Sequence, residues 1–313
     1  MTNMVRLPNA KTDANNQHNA FVSTDLPEEN QPWPTSDWAW RDMFAKRLRE
    51  YILGLFWFVQ NDEALPEHFR AECRKWGLAA DEYLDNDCFP RQVYVREGRR
   101  IWGEHNFTAH DALPVSEGAR PPIYESGITA SHYNLDSHAV RKREPGKAHL
   151  DGFFGYRTEP YTVPYGVMVP KNVSGLLCPV PISGTHIGFS TIRMEPCWMA
   201  MGEAAGVAAH FILEKNLPVT DAPIPDVQNV LIDAGAVLIW YDDTPLDHKD
   251  FKALQYFGIR GLLPEWSARL DDPIDETTAS DWLSKAGLSG ACEMTEGMTR
   301  GEFLTAMRRS VKK

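Results

Sequence analysis

Cysteine is sparse and scattered: Cys73, Cys88, Cys178, Cys197 and Cys292 stand singly, and no C-x-x-C pair occurs. That spacing offers neither a zinc ligand set nor a disulfide framework, so reduced and mostly buried thiols are the expectation. No apolar run reaches the roughly 18 residues that a membrane-spanning helix needs, and the run YILGLFWFV at 51–59 is about half that length. The opening MTNMVRLPNAKTDANNQHNAFVSTDL is polar and lacks the apolar core of a secretory signal, which predicts a soluble, cytoplasmic protein. Positive charge is in the minority, with 32 Lys and Arg against 43 Asp and Glu and a net charge of -11. Neither nucleic acid nor an anionic membrane is an expected partner for such a chain.

What is present suits a globular protein. The 313 residues are 43% hydrophobic and 11% aromatic, enough for two or three domains with a sizeable core. From Ser36 as N-cap, the positions Trp40, Phe44, Leu48, Ile52 and Leu55 recur at helical spacing and predict a long helix with one buried stripe. A second helix is expected from Pro66 to Gly77. The segment FPRQVYVREGRRIWGEHNFTAHD reads as strand, turn and strand around an arginine cluster, and residues 113–170 read as an irregular mixed region. VSGLLCPVPIS then reads as a short buried strand, followed by SGTHIGFSTIRMEPCWMAMGEAAGVAAHFILEKN, a small-residue loop feeding a long helix. A helix start exposes N–H groups and the positive end of the macrodipole, which makes that loop a candidate seat for an anionic or electron-rich ligand. Beyond the Pro-rich joint LPVTDAPIPD, three short helices are expected in a C-terminal tail.

Four segments carry a family resemblance, in order: KTDANNQHNAFVSTDLP, PRQVYVREGRRIWGEHNFTAHD, ESGITASHYNLDSHAV and VPYGVMVPKNVSGLLCPVPISGTHIGFSTIRMEPCWMAMGEAAGVAA. Together they make residues 1–216 similar to the C-terminal two-thirds of FAD-dependent oxidoreductases often labelled xanthan lyase-like. The resemblance implies a glutathione-reductase-like flavoprotein of α+β class, in which a strand, loop and helix return to close over the isoalloxazine. It assigns cofactor contacts to Ser183, Gly184, Thr185, His186 and Ser190, helix-start N–H groups to Thr191, Ile192 and Arg193, and tight helix packing to Gly202 and Gly206. Arg193 is placed to neutralise reduced flavin or grip a substrate carboxylate. The implied domains are 1–170 as substrate domain, 171–216 as returning FAD-binding segment and 217–313 as a small helical tail.

Such a flavoprotein should carry G-x-G-x-x-G after a first strand, with an acidic residue about 20 positions on. No two glycines of this chain stand two apart, so the fingerprint is absent. FAD binding by the chain alone is therefore expected to be weak or absent, with a separate Rossmann-half polypeptide as the implied partner beside a small-molecule substrate. Asp136 and His138 form a D-x-H couple able to move a proton, while Tyr94, Arg96, Arg99 and Arg100 could line an anionic substrate pocket. No metal site is expected. FKALQYFGIRGLLP and MTRGEFLTAMRRSV look like helices of S-layer homology modules, although a helical appendage packed on the main body is favoured. Two other functions stay open: a truncated, non-catalytic interaction protein, and a polysaccharide lyase using an open, aromatic-lined groove.

Overall fold

A computed structural model describes residues 2–16, 24–147 and 150–311. The chain separates into two units, residues 1–99 with 138–153 and residues 100–137 with 154–313.

In the first unit, β1 (Thr2–Arg6) and β2 (Thr12–Asn16) form an antiparallel hairpin, with Thr2 opposite Asn16 and Arg6 opposite Thr12. Helix α1 (Trp38–Asn61) starts one residue later than the sequence suggests: the Asp37 carboxylate, not Ser36, accepts the Trp40 N–H at 2.9 Å. Of the expected stripe only Phe44 is buried, and Trp38, Met43 and Trp57 on the other faces are exposed. Trp40 stacks on Phe44 at 5.1 Å and Trp33 meets both edge-on. Helix α2 (Glu67–Cys73) follows Pro66 as expected, and the Gln60 amide ties α1 to it by donating to the carbonyls of Cys73 and Trp76. The strand–turn–strand expected over 89–111 does not form: no strand lies there, and residues 101–107 bond to the irregular segments around 166–170 and 181–184. Short bridges pair Gly103 with Pro170 and Phe107 with Gly184 instead.

The second unit begins with α3 (Ala109–Ala112) and two antiparallel pairs. Strand β3 (Gly127–Ser131) pairs with β6 (Tyr161–Pro164), and β4 (Leu135–Ser137) pairs with β5 (Phe154–Tyr156). The strand expected in VSGLLCPVPIS is absent as well. Pro179 and Pro181 remove ladder donors, and the segment instead bonds to irregular chain through Cys178 N–H to Met168 O and Ser183 N–H to Val167 O.

Helices α4 (His186–Ile192) and α5 (Glu195–Lys215) replace the single helix that the sequence suggests. A continuous helix would drive the Pro196 ring into the preceding turn, so α4 ends at Arg193 and α5 restarts with Pro196 in its first turn. Helix α5 buries Cys197, Met201, Ala204, Ala205, Ala208 and Ile212, a 3–4 spacing, and ends at Asn216 in the left-handed region at φ 51°.

The Pro-rich joint is itself partly helical, since α6 (Ile224–Asp233) carries Pro225 in its first turn. Helices α7 (Phe251–Gly258), α8 (Glu276–Lys285) and α9 (Arg300–Val311) coincide with the three expected tail segments. They are not a separate body. Phe107, Val163, Met201, Leu231, Phe257 and Phe303 belong to one core, so the expected boundaries at 170 and 216 both fall inside this unit. Two buried glutamines lock it: Gln228 donates to the carbonyls of Glu125 and Gly127, and Gln255 bonds Leu238 N–H, Ile239 N–H and Ile239 O. Among the described residues no helix is long and apolar enough to cross a membrane.

Candidate functional site

The small-residue loop is held by its own chain. Phe107 pairs with Gly184, its N–H donating to Ser183 O at 3.2 Å and its carbonyl accepting Thr185 N–H at 2.9 Å. A Cβ on Gly188 would lie 2.2 Å from Phe107 O, so that glycine is required by the neighbouring backbone. The hydroxyls are engaged too. Ser183, fully buried, donates to Asn106, and Thr185 caps α4 by accepting Gly188 N–H at 3.0 Å. Ser190 Oγ donates to Ile187 O and accepts Asp136 N–H at 2.9 Å. Thr191 donates to Tyr133 O and meets the Tyr161 hydroxyl at 2.8 Å, and burial raises the Tyr161 phenol above its ordinary value. His186 is half-buried in the first turn of α4.

Thr191, Ile192 and Arg193 lie at the C-terminal end of α4, not at a helix start, because the helix breaks ahead of Pro196. Arg193 is 6% exposed; its Nη2 donates to Asp136 Oδ2 at 3.1 Å, and its guanidinium sits 5.4 Å from the Tyr133 ring centre. Asp136 also accepts from Tyr133 at 3.3 Å. The cation assigned to a ligand is thus paired inside the protein. Gly202 and Gly206 do not give tight packing: they face open space, with no atom within 4 Å of a Cβ built on either.

The Asp136–His138 couple is divided in its contacts. Asp136 serves Arg193, whereas His138 Nδ1 lies 2.7 Å from Asp25 Oδ2 in the first unit. Tyr94, Arg96 and Arg99 belong to the first unit, with Tyr94 strongly exposed, and Arg100 belongs to the second, where it stacks 4.8 Å over Phe189 of α4.

Sequence reasoning missed a buried carboxylate beside this loop. Asp111 accepts His105 Nε2–H at 2.8 Å and the Tyr124 hydroxyl through Oδ1, and the Thr108 N–H and hydroxyl through Oδ2. Burial alone would raise its pKa, but the hydrogen bonds from His105, Tyr124 and Thr108 outweigh that and hold it well below the usual carboxylate range. Tyr124 is pushed above its ordinary value by burial and by Asp111. The signal was the capping-box spacing T-x-x-D in HNFTAHD, Thr108 to Asp111, which begins at the residue after Phe107, the residue that meets Gly188.

Residues 1–231 match the family model described as FAD dependent oxidoreductase. The chain belongs to that family. Comparison with curated proteins and with solved structures finds no match. Family membership implies FAD, and among the described residues the features that would cradle its pyrophosphate are not brought together. Strands of the described residues pair only antiparallel and two by two, so these residues form no βαβ phosphate-binding unit. Gly184 before α4 is faced by Phe107 and Phe189, and Gly188 within α4 by Phe107 and Thr108, while α5 opens on the exposed carboxylate of Glu195, which opposes an anion at its N-terminus. Among the described residues, no group of three His, Cys, Asp or Glu is placed to hold a metal ion.

Proposed function

We propose that this chain serves a flavin-dependent oxidation or reduction of a small molecule, supplying the substrate side of the site while a Rossmann-type polypeptide or domain holds the adenosine and pyrophosphate of FAD. Family membership over residues 1–231 supports the flavin. The division of labour rests on one observation: the Phe107 carbonyl occupies the space in front of Gly188, so the approach to α4 is packed with protein. The cofactor carries the electron chemistry when bound. This chain's part is to fix walls around the substrate, through the Arg193–Asp136 pair and the Asp111–His105 pair, whose hydrogen bonds orient their side chains.

Titration of the purified full chain with FAD tests the reading. Little flavin should co-purify, and FAD should be retained only when a second, dinucleotide-binding polypeptide is present. A yellow protein carrying one FAD per chain by itself would overturn it.

A further inference from the structure

The second unit contains an open cavity of about 990 Å³ that lies within a single unit and has no part in the pairs described above. Three aromatic rings line it: Tyr156, Trp240 and Trp266. Tyr156 is 51% and Trp240 41% exposed, so both offer ring area to a ligand. Their seats are rigid. Arg120, 6% exposed, donates to the carbonyls of Trp240, Glu265 and Trp266, and its guanidinium is sandwiched between the rings of Tyr241 at 4.5 Å and Trp266 at 4.2 Å. Trp266 also donates its indole N–H to Gly118 O at 3.2 Å, and Tyr156 is backed by a stacked Phe154. A buried arginine bonded to three carbonyls fixes the wall before any ligand arrives, which lowers the ordering cost of binding.

Polar side chains line the cavity as well as rings. Among the described residues neither Arg157 nor Glu159 has an ion-pair partner, and both are exposed at the cavity. Asp242 uses Oδ1 to accept from Ser267 at 2.7 Å. His132 Nε2 donates to Thr158 O at 3.0 Å. Both donors and acceptors are therefore on offer, as a polyhydroxylated ligand demands. Two carboxylates against one guanidinium in the lining disfavour a phosphate or uronate. Among the described residues none of the three rings stacks on another, and Arg120 covers one face of Trp266, so separate ring surfaces rather than one slot for a planar base meet a ligand. The C–H faces of pyranose rings carry partial positive charge and suit the negative faces of aromatic rings. The volume lies at the upper end for a small-molecule site.

We propose that this cavity binds a neutral oligosaccharide, stacked on Trp240, Tyr156 and Trp266 and hydrogen-bonded by Arg157, Glu159 and His132. The proposal needs no flavin. Full-length protein is titrated with cello-, xylo-, manno- and maltohexaose, and with oligogalacturonate as the anionic comparison, following tryptophan fluorescence and heat. At least one neutral hexamer should bind saturably, with oligogalacturonate weaker by about tenfold or more. Trp240→Ala and Tyr156→Ala change exposed side chains, so both should fold with an unchanged melting temperature and bind about tenfold more weakly. Absence of binding by every neutral hexamer at millimolar concentration, tighter binding of oligogalacturonate, or full affinity in both variants would each overturn the proposal.

Discussion

Arg193 Nη2 donates to Asp136 Oδ2 at 3.1 Å, joining the end of α4 to strand β4 with both side chains largely buried. Breaking such a pair by removing one partner leaves an uncompensated charge and costs about 3 to 5 kcal/mol. Arg193→Ala and Asp136→Ala should each lower the melting temperature by several degrees, and the double variant should lose less than the sum of the two. Calorimetry on the four proteins checks this; single variants that melt within a degree of the parent would show that the pair is not structural and return Arg193 to ligand binding.

Glycines within and after the loop should separate sharply. A methyl group at Gly188 meets Phe107 O at 2.2 Å and Thr108 Cα at 2.8 Å, backbone atoms that cannot step aside. Gly188→Ala should therefore destabilise by about 3 kcal/mol or more. Gly202→Ala and Gly206→Ala meet no atom within 4 Å and sit inside α5, so each should stabilise by about 0.5 to 1 kcal/mol. Urea unfolding of the three variants decides, and a tolerant Gly188 would mean that the Phe107 segment moves aside.

The sequence signals that held were those read over many residues. Helical spacing placed α1, because a period of 3.6 repeated over several turns survives most tertiary contexts, and the tail segments expected to be helical hold α7, α8 and α9. The strands expected around Tyr94 and Leu177 failed: propensity says nothing of whether a ladder partner is available, and after Leu177 the prolines Pro179 and Pro181 remove ladder donors. Pro196 could have announced the break between α4 and α5, but the small residues on either side read as one loop feeding one helix. Arg193 was legible as special but not as paired, because Asp136 is 57 residues away in sequence. Gln228 and Gln255 were invisible for the same reason: their partners lie on other segments and no local pattern marks a buried amide.

Acid should weaken the second unit through Asp111. Its carboxyl has a folded pKa below its ordinary value of 3.8, so the stability it contributes is fully present above about pH 4 and falls away as pH drops toward the folded value. Asp111→Asn keeps the shape but loses the charge-assisted bonds from His105 and Tyr124, at a cost of about 2 to 3 kcal/mol at neutral pH. The variant should show a shallower loss of stability between about pH 4 and pH 2 than the parent. Parallel profiles for the two proteins would remove Asp111 as the source of the acid dependence.

The tail should prove inseparable from the main body. Phe257 and Phe303 are 1% and 0% exposed and share one core with Met201 and Val163, while the Gln228 amide holds the carbonyls of Glu125 and Gly127. Phe257→Ala or Phe303→Ala should each cost about 3 to 5 kcal/mol, the range for emptying a buried aromatic site. Ending the chain at Asn216 would strip Leu231, Leu254, Phe257, Trp282 and Phe303 from that core at once, exposing the apolar faces they cover. The shortened protein should therefore lose its cooperative transition and aggregate, whereas an appendage attached only through a linker could be removed without effect. Differential scanning calorimetry of the two chains distinguishes these, and a truncated chain that melts cooperatively at the parent temperature would show that the tail is a separate module.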